Sequence, residues 1–126
     1  MPSTAAYVAV QDSASTLEWG GDIDYTFDLF DAPSVDTGRR PVLSFDINPS
    51  LNGDQAVTFK WSLNGTDILG LSFSTGEPRA WQEILESNLL KAKNNELIVS
   101  LTNDDNTDRS SAITLNDVVI LYTNKP

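Results

Sequence analysis

A polar run near the C-terminal end carries the densest group of oxygen ligands in the sequence. Residues 103–108 read Asn-Asp-Asp-Asn-Thr-Asp and supply three carboxylates and two amides. The positions spaced as the first, third and fifth ligands of an EF-hand loop are Asp104, Asn106 and Asp108. An EF-hand also needs a glycine and a bidentate glutamate, where this chain has Arg109 and Leu115. The run therefore predicts either an irregular calcium site or a solvated loop between two strands.

A tryptophan close to a carboxylate gives a second candidate site. Trp81 and Glu83 are two residues apart, so both side chains share one face if the segment is a strand. Sugar rings stack on flat aromatic side chains, and a neighbouring carboxylate can accept hydrogen bonds from sugar hydroxyls. If the segment is a helix, Trp81 would be buried with Ile84 and Leu85. The alternative to a ligand-binding role for Trp81 is therefore a position in the core. Asn103 is the third predicted ligand-binding residue, at the rim.

The composition excludes several kinds of active site. The chain has no His and no Cys, which excludes Ser-His-Asp and Cys-His nucleophiles and zinc sites built from imidazole or thiolate. No glycine-rich phosphate loop is present. Two carboxylates can still hydrolyse a glycosidic bond, but the sequence does not show which acids lie at a working separation. We therefore predict a binding protein and not an enzyme.

The charge of the chain narrows its partners. Acidic residues outnumber basic residues 18 to 8, and the formal net charge is −10. Such a field repels phosphates and anionic lipids, so neither nucleic acid nor a membrane is an expected partner. Neutral ligands, divalent cations and basic proteins remain compatible with it. The first six residues lack the basic and apolar regions of a signal peptide, which predicts a cytoplasmic protein or a processed secreted chain.

Alternating apolar and polar residues indicate β-strands along most of the chain. The predicted strands are 7–10, 17–19, 23–29, 41–47, 57–63, 68–74, 96–101 and 112–122. Between the fifth and the sixth, Asn64-Gly65 favours a hairpin with a type I′ turn, because both residues tolerate positive φ angles. The fourth should end at 48–50, because Pro49 has no N–H to donate to a ladder.

Residues 79–90 admit two interpretations. The spacing of the apolar residues in this segment suits one face of a helix, and the alternative is a strand over 80–84 followed by a helical turn at 87–90. We predict the strand, because one more strand completes a sandwich. The chain is thus expected to be one all-β domain over residues 1–126, an antiparallel jelly-roll-like sandwich of eight or nine strands with at most one short helix.

Residues 81–99 resemble a turn of the galactose-binding-like jelly-roll domains, which include non-catalytic carbohydrate-binding modules. In that family a strand leads to a leucine-rich turn, a small residue or glycine, an asparagine and a strand of alternating aliphatics. Here Trp81-Gln82-Glu83-Ile84, Leu89-Leu90 and 96–99 fit the pattern, and Lys93 and Asn94 stand where glycine is common. The segment Ile113 to Tyr122 resembles the closing strand of these domains. The resemblance covers about 40 of the 126 residues.

The resemblance implies ligand binding through rim loops or a concave sheet face, often with a structural calcium ion. We therefore predict a non-catalytic binding module for carbohydrate, assisted by calcium. The predicted ligand-binding residues are Trp81, Glu83 and Asn103, and the predicted calcium ligands are Asp104, Asn106 and Asp108. The alternative is a structural or protein-interaction subunit that self-assembles or docks on a larger partner. Asn64-Gly65-Thr66 also fits the N-glycosylation pattern, but we expect only a turn there.

Overall fold

The computed structural model describes residues 4–18, 21–29, 35–50, 57–73, 77–103 and 112–125. Within these ranges the chain forms nine β-strands, and no helix occurs, so no described helix could span a membrane. In chain order the strands are β1 (Thr4–Gln11), β2 (Ser15–Glu18), β3 (Asp22–Phe27), β4 (Val42–Ser50), β5 (Val57–Leu63), β6 (Thr66–Phe73), β7 (Arg79–Ile84), β8 (Asn95–Asn103) and β9 (Ala112–Asn124). The predicted strand over 80–84 is confirmed as β7, and the helix alternative is wrong. The helical turn predicted at 87–90 does not form: residues 87 and 88 make a turn in which Asn88 has a φ of 67°, which is not a helical angle.

The strands form two antiparallel sheets. The five-stranded sheet has the order β1-β9-β4-β7, and β2 also pairs with β9. β1 and β2 pair with successive lengths of β9, at residues 118–124 and 112–115. The four-stranded sheet has the order β3-β8-β5-β6. The predicted all-β antiparallel sandwich is therefore confirmed.

Aromatic side chains join the two sheets at the centre of the core. Phe45 of β4 packs against Phe59 and Trp61 of β5, with ring centroids 5.8 and 4.8 Å apart. All three are almost completely buried. Each large apolar side chain buried in this way contributes about 2 kcal/mol to folding. The core position predicted for Trp61 from its alternation with apolar neighbours is correct, whereas Trp19 lies outside the described residues.

The β5–β6 hairpin has the turn that its sequence predicts. Asn64 and Gly65 both have positive φ angles, 50° and 85°, as a type I′ turn requires. The backbone N–H of Asn64 also donates to the carbonyl oxygen of Glu96 at 2.8 Å, which ties the turn to β8.

The predicted end of the fourth strand at residues 48–50 is wrong, because β4 continues through Pro49 to Ser50. Its pairing explains why proline is tolerated there. β7 begins at Arg79, opposite Ile47, so positions 48–50 pair with β9 alone among the described strands. One side of β4 therefore needs no donor at Pro49, as on an edge strand.

β9 is one strand of 13 residues that contains an irregularity in its middle. Ile113 and Leu115 are buried before it, and Val118 and Ile120 are buried after it, so the buried side changes parity. The register with β4 shifts at the same place, and Asp117 has a φ of 54°. This is a β-bulge, and it keeps both halves of the strand facing the core.

Candidate functional site

A cleft with a volume of about 360 Å³ lies where the end of β7 meets the start of β6. These are the edge strands of the two sheets, so the cleft opens on one side of the sandwich. Its polar lining residues are Arg40, Thr66, Asp67, Glu83, Glu86 and Ser87, and its apolar ones are Ile68, Ile84, Leu85 and Leu89. Its lining is more polar than apolar, and converging polar groups of this kind fix the orientation of a small ligand.

Trp81 and Glu83 share one face of β7, as the strand interpretation predicted. The Nε1–H of Trp81 donates to Oε1 of Glu83 at 3.2 Å. Trp81 is half-buried and packs against the core, opposite Phe45 of β4. Glu83 lines the cleft, whereas Trp81 does not. The structure therefore brings two of the predicted ligand-binding residues together, with Trp81 holding the carboxylate that faces the cleft.

The wall of the cleft after β7 is fixed by hydrogen bonds to the segment before β4. The Nε of Arg40 donates to the carbonyl oxygen of Leu85 at 2.9 Å. The backbone N–H of Leu85 donates to the carbonyl of Pro41 at 2.8 Å, and that of Asn88 donates to the carbonyl of Thr37 at 2.7 Å. These bonds hold a turn that has no regular strand partner, so the cleft is formed in advance of any ligand.

The predicted rim and calcium residues fall at the edge of what the structure describes. Asn103 is the last residue of β8, paired with Val57, and its side chain is not among the described parts. Asp104, Asn106 and Asp108 lie outside the described residues. In the ranges that are described, no three acidic side chains are placed to hold a metal ion. The calcium site therefore stays a prediction.

A cluster of asparagines joins the β5–β6 hairpin to the loop before β8. Asn95 is completely buried, and its Oδ1 accepts from the N–H of Lys91 at 2.8 Å and from Nδ2 of Asn64 at 3.1 Å. Its own Nδ2 donates to the carbonyl of Lys91 at 2.7 Å. The Nδ2 of Asn64 also donates to the carbonyl of Leu89 at 2.7 Å. The Asn64 amide is thus engaged within the fold, which supports the turn role expected for Asn64-Gly65-Thr66.

Asn94 explains the missing glycine in the loop before β8. Its φ is 59°, a left-handed conformation that glycine adopts without strain and that asparagine tolerates better than most residues. Its backbone N–H donates to Oδ1 of Asp28 at 2.8 Å. Asn94 thus has a backbone conformation that is open to glycine, at a position where the domains that this segment resembles commonly have glycine.

Replacing Asn94 by alanine is expected to lower the free energy of unfolding by about 1 kcal/mol, because a Cβ without a local polar group is strained at this φ. The Asn94→Gly variant is the matched control, and its stability should stay within about 0.5 kcal/mol of the parent chain. Both variants keep the backbone bond to Asp28. Urea unfolding measures the difference, and equal losses in the two variants would contradict the backbone explanation.

Carboxylates lie close together on the outer face of the four-stranded sheet. Asp22 and Asp24 are exposed on β3, and Glu96 is exposed on β8. A side-chain hydrogen bond with Asp24 and the charge of that residue raise the pKa of Glu96. The folded chain therefore holds a proton at this pair more tightly than the unfolded chain does. The stability that this proton provides is complete below the ordinary pKa of glutamate and is lost as pH rises through the raised pKa.

The Glu96→Gln variant is expected to melt at a higher temperature than the parent chain at pH 7, because it removes the repulsion from Asp24. The advantage should shrink as pH falls through the raised pKa of Glu96, where the parent chain becomes protonated. Thermal melts across this range check the trend. Glu18→Gln on β2 makes the same change on the other sheet, and a pH-dependent gain of equal size there would contradict the assignment to Glu96.

No protein-family model matches the sequence, and the search of curated proteins found no match. Its fold, however, matches solved structures. The CBM36-1 domain of a multidomain xylanase from the hindgut metagenome of Trinervitermes trinervoides superposes with a TM-score of 0.53 at 9% identity, over 95% of this chain and 96% of that one. A carbohydrate-binding module CBM36 in complex with calcium and xylotriose gives 0.50 at 12% identity, over 98% and 100%.

Latent PorU from Porphyromonas gingivalis gives a TM-score of 0.57 at 11% identity, over 94% of this chain. The chain spans only 13% of PorU but nearly the whole length of the two carbohydrate-binding modules. At these identities the likeness establishes the fold alone. The resemblance to galactose-binding-like jelly-roll domains is confirmed at that level, because this chain has the β-sandwich fold found in carbohydrate-binding modules.

Proposed function

We propose that this protein is a non-catalytic carbohydrate-binding module whose ligand occupies the cleft between β6 and β7. The observation that carries the proposal is the carboxylate of Glu83, which lines that cleft and is fixed by the Nε1–H of Trp81, on a fold that carbohydrate-binding modules share. Carboxylates, a guanidinium and apolar side chains at one edge of the sandwich supply the groups that a sugar ring needs.

The cleft offers both kinds of contact that a sugar makes. Carboxylate oxygens of Glu83 and Asp67 would accept hydrogen bonds from adjacent hydroxyls, and the guanidinium of Arg40 would donate to ring or hydroxyl oxygens. Ile68 and Leu89 would contact the C–H faces of the ring. Three carboxylates and one guanidinium line the cleft, so its charge favours a neutral sugar over one that bears carboxylate or sulfate groups.

The test is a calorimetric titration against a panel of soluble oligosaccharides, with neutral xylo-, gluco- and galacto-oligomers beside a uronate-bearing one. We expect saturable binding of a neutral oligomer and weaker binding of the uronate. Glu83→Gln keeps the shape of the cleft and should weaken binding about tenfold, since a charge-assisted hydrogen bond is lost. Asp22→Asn, on the outer face of the other sheet, is the matched control. If no oligosaccharide binds, or if Glu83→Gln binds as tightly as Asp22→Asn, the proposal is wrong.

We further propose that calcium assists binding through Asp104, Asn106 and Asp108, in the run that follows Asn103, the last residue of β8. Their side-chain oxygens suit a hard cation, and one module of the same fold has been solved with calcium and xylotriose. A thermal melt with calcium and with EDTA tests the site.

At a calcium concentration a hundredfold above the dissociation constant, we expect calcium to add about 2.7 kcal/mol to the stability of the folded chain. The Asp104→Asn/Asp108→Asn variant should lose that increase, and Asp22→Asn should keep it. If calcium leaves the melting temperature of the parent chain unchanged, residues 103–108 are a solvated loop and not a calcium site. That result would not affect the proposal for the cleft.

A further inference from the structure

A second depression lies next to the cleft, on the other side of the β5–β6 turn. Its volume is about 530 Å³, and we call it the Lys91 depression. Its lining is almost entirely polar and includes Thr26, Asn64, Gly65, Lys91, Asn94 and Glu96. None of these residues lines the cleft, so the depression is a separate part of the surface.

The two concave surfaces meet at the turn. Thr66 lines the cleft, whereas its neighbours Asn64 and Gly65 line the depression. In the loop before β8, Leu89 lines the cleft and Lys91 lines the depression. Residues two apart along a chain lie within about 7 Å of each other. A ligand that extends beyond the cleft therefore reaches the depression by passing over the turn.

Gly65 leaves bare backbone at this crossing. A Cβ placed on Gly65 would meet no other atom within 4 Å, so its side-chain direction points into open space. Glycine is also the residue that lets a ligand approach the backbone closely. The tip of the turn therefore presents no side chain at position 65 to a ligand that crosses it.

Asn64 fixes the cleft and the depression relative to each other. Its Nδ2 donates to the carbonyl oxygen of Leu89 at 2.7 Å, and its Oδ1 accepts from the backbone N–H of Glu96 at 2.8 Å. Leu89 belongs to the wall of the cleft, and Glu96 belongs to the wall of the depression. Because one side chain holds both walls, a ligand that spans them loses little free energy to ordering the protein.

The groups in the depression suit the hydroxyls of a sugar. Four of its side chains are exposed to solvent: Thr26, Lys91, Asn94 and Glu96. The ammonium, hydroxyl and amide groups can donate hydrogen bonds, and the carboxylate can accept them. Within the described ranges no ion pair or hydrogen bond engages the ammonium of Lys91, so this group is available to a ligand. The depression has one cation and one anion, which favours a neutral ligand.

We propose that the ligand is a neutral oligosaccharide long enough to pass over the β5–β6 turn and to occupy both the cleft and the Lys91 depression. This inference rests on the proposed function and specifies the length of the ligand. A disaccharide occupies the cleft alone. In a longer chain, the sugar units beyond the turn receive a charge-assisted hydrogen bond from Lys91.

The test is calorimetric titration of the whole chain with neutral xylo-, gluco- and galacto-oligosaccharides, from disaccharide to hexasaccharide. For the sugar that binds, we expect the affinity to rise at least about tenfold over this series. Lys91→Ala should lower the affinity for the hexasaccharide about tenfold and leave that for the disaccharide within about twofold. Lys93→Ala is the matched control, because it removes the same charge from the same loop and Lys93 lines neither surface. It should bind every length as the parent chain does, and circular dichroism confirms that both variants are folded.

Three results would overturn this inference and leave the proposed function standing, provided that Glu83→Gln still weakens binding. The affinity could stay constant beyond the disaccharide, Lys91→Ala could weaken all lengths equally, or Lys91→Ala could have no more effect than Lys93→Ala. Binding of no oligosaccharide at any length is a different outcome. It would show that the proposed function itself is wrong, and the inference would fall with it.

Discussion

Replacing Asn95 by alanine is expected to lower the free energy of unfolding by about 3 kcal/mol. The side chain is completely buried and makes three hydrogen bonds, two with the backbone of Lys91 and one with Asn64. Alanine would remove all three hydrogen bonds and leave a cavity at a completely buried position. Each hydrogen bond contributes about 1 kcal/mol to stability. Chemical denaturation with a constant m-value measures the loss.

Two further variants separate the hydrogen bonds from the change in side-chain volume. Asn95→Asp keeps the acceptors but loses the donor to the Lys91 carbonyl and buries a charge, so it should also be strongly destabilised at neutral pH. Asn48→Ala makes the same substitution as Asn95→Ala at an exposed position of β4, and its effect should stay within about 0.5 kcal/mol. A loss below about 1 kcal/mol for Asn95→Ala would mean that the loop rearranges and does not depend on this residue.

Replacing Trp81 by alanine is expected to weaken binding of the best oligosaccharide by about tenfold, which corresponds to about 1.4 kcal/mol. This expectation rests on the proposed function. Trp81 packs against the core and does not line the cleft, but its Nε1–H fixes the carboxylate of Glu83, which does. Alanine removes that hydrogen bond and leaves the Glu83 side chain free to move away from the ligand. Calorimetric titration of the variant measures the affinity.

Trp81→Phe keeps an aromatic ring against the core and removes the hydrogen bond to Glu83. It should therefore lose affinity as Glu83→Gln does, and a Trp81→Phe variant that keeps the full affinity would contradict the positioning role of Trp81. Because Trp81 packs against the core, each variant must first be shown to remain folded at the titration temperature. An alanine variant that binds normally would disprove the assignment of Trp81 to the site.

Local patterns in the sequence were sufficient for most of the strands. The β5–β6 hairpin follows from alternation around Asn64-Gly65, and β7 follows from preferring a ninth strand over an isolated helix. The errors arose where pairing overrides local preference. Pro49 could not be placed inside β4 without knowing that β7 stops opposite Ile47. The bulge at Asp117 moves the buried positions of β9 from odd to even residue numbers. Strict alternation of apolar and polar residues along one strand does not predict such a change.

The candidate site was predictable only in part, for a related reason. Trp81 and Glu83 are neighbours on one strand face, so their spacing was sufficient. Arg40 and Asp67 reach the same cleft from distant parts of the sequence, and only the stacking of the two sheets brings them together. The buried role of Asn95 carries no periodic signal. The only sign of this in the sequence is the number of asparagines in and around the loop. Three of them have positive φ angles in the structure: Asn64, Asn88 and Asn94.

The position of β9 in the five-stranded sheet has a consequence for how the chain folds. β9 pairs with β1, β2 and β4, yet it is the last described strand to leave the ribosome. The four-stranded sheet is complete in sequence once β8 has been made, whereas the described partner of β1 and β2 lies about 100 residues further along the chain. Such long-range pairing slows folding to about milliseconds to seconds and leaves apolar strand edges exposed meanwhile. We therefore expect the five-stranded sheet to form only after β9 has been synthesised. Until then β1 and β2 are the described strands most exposed to aggregation.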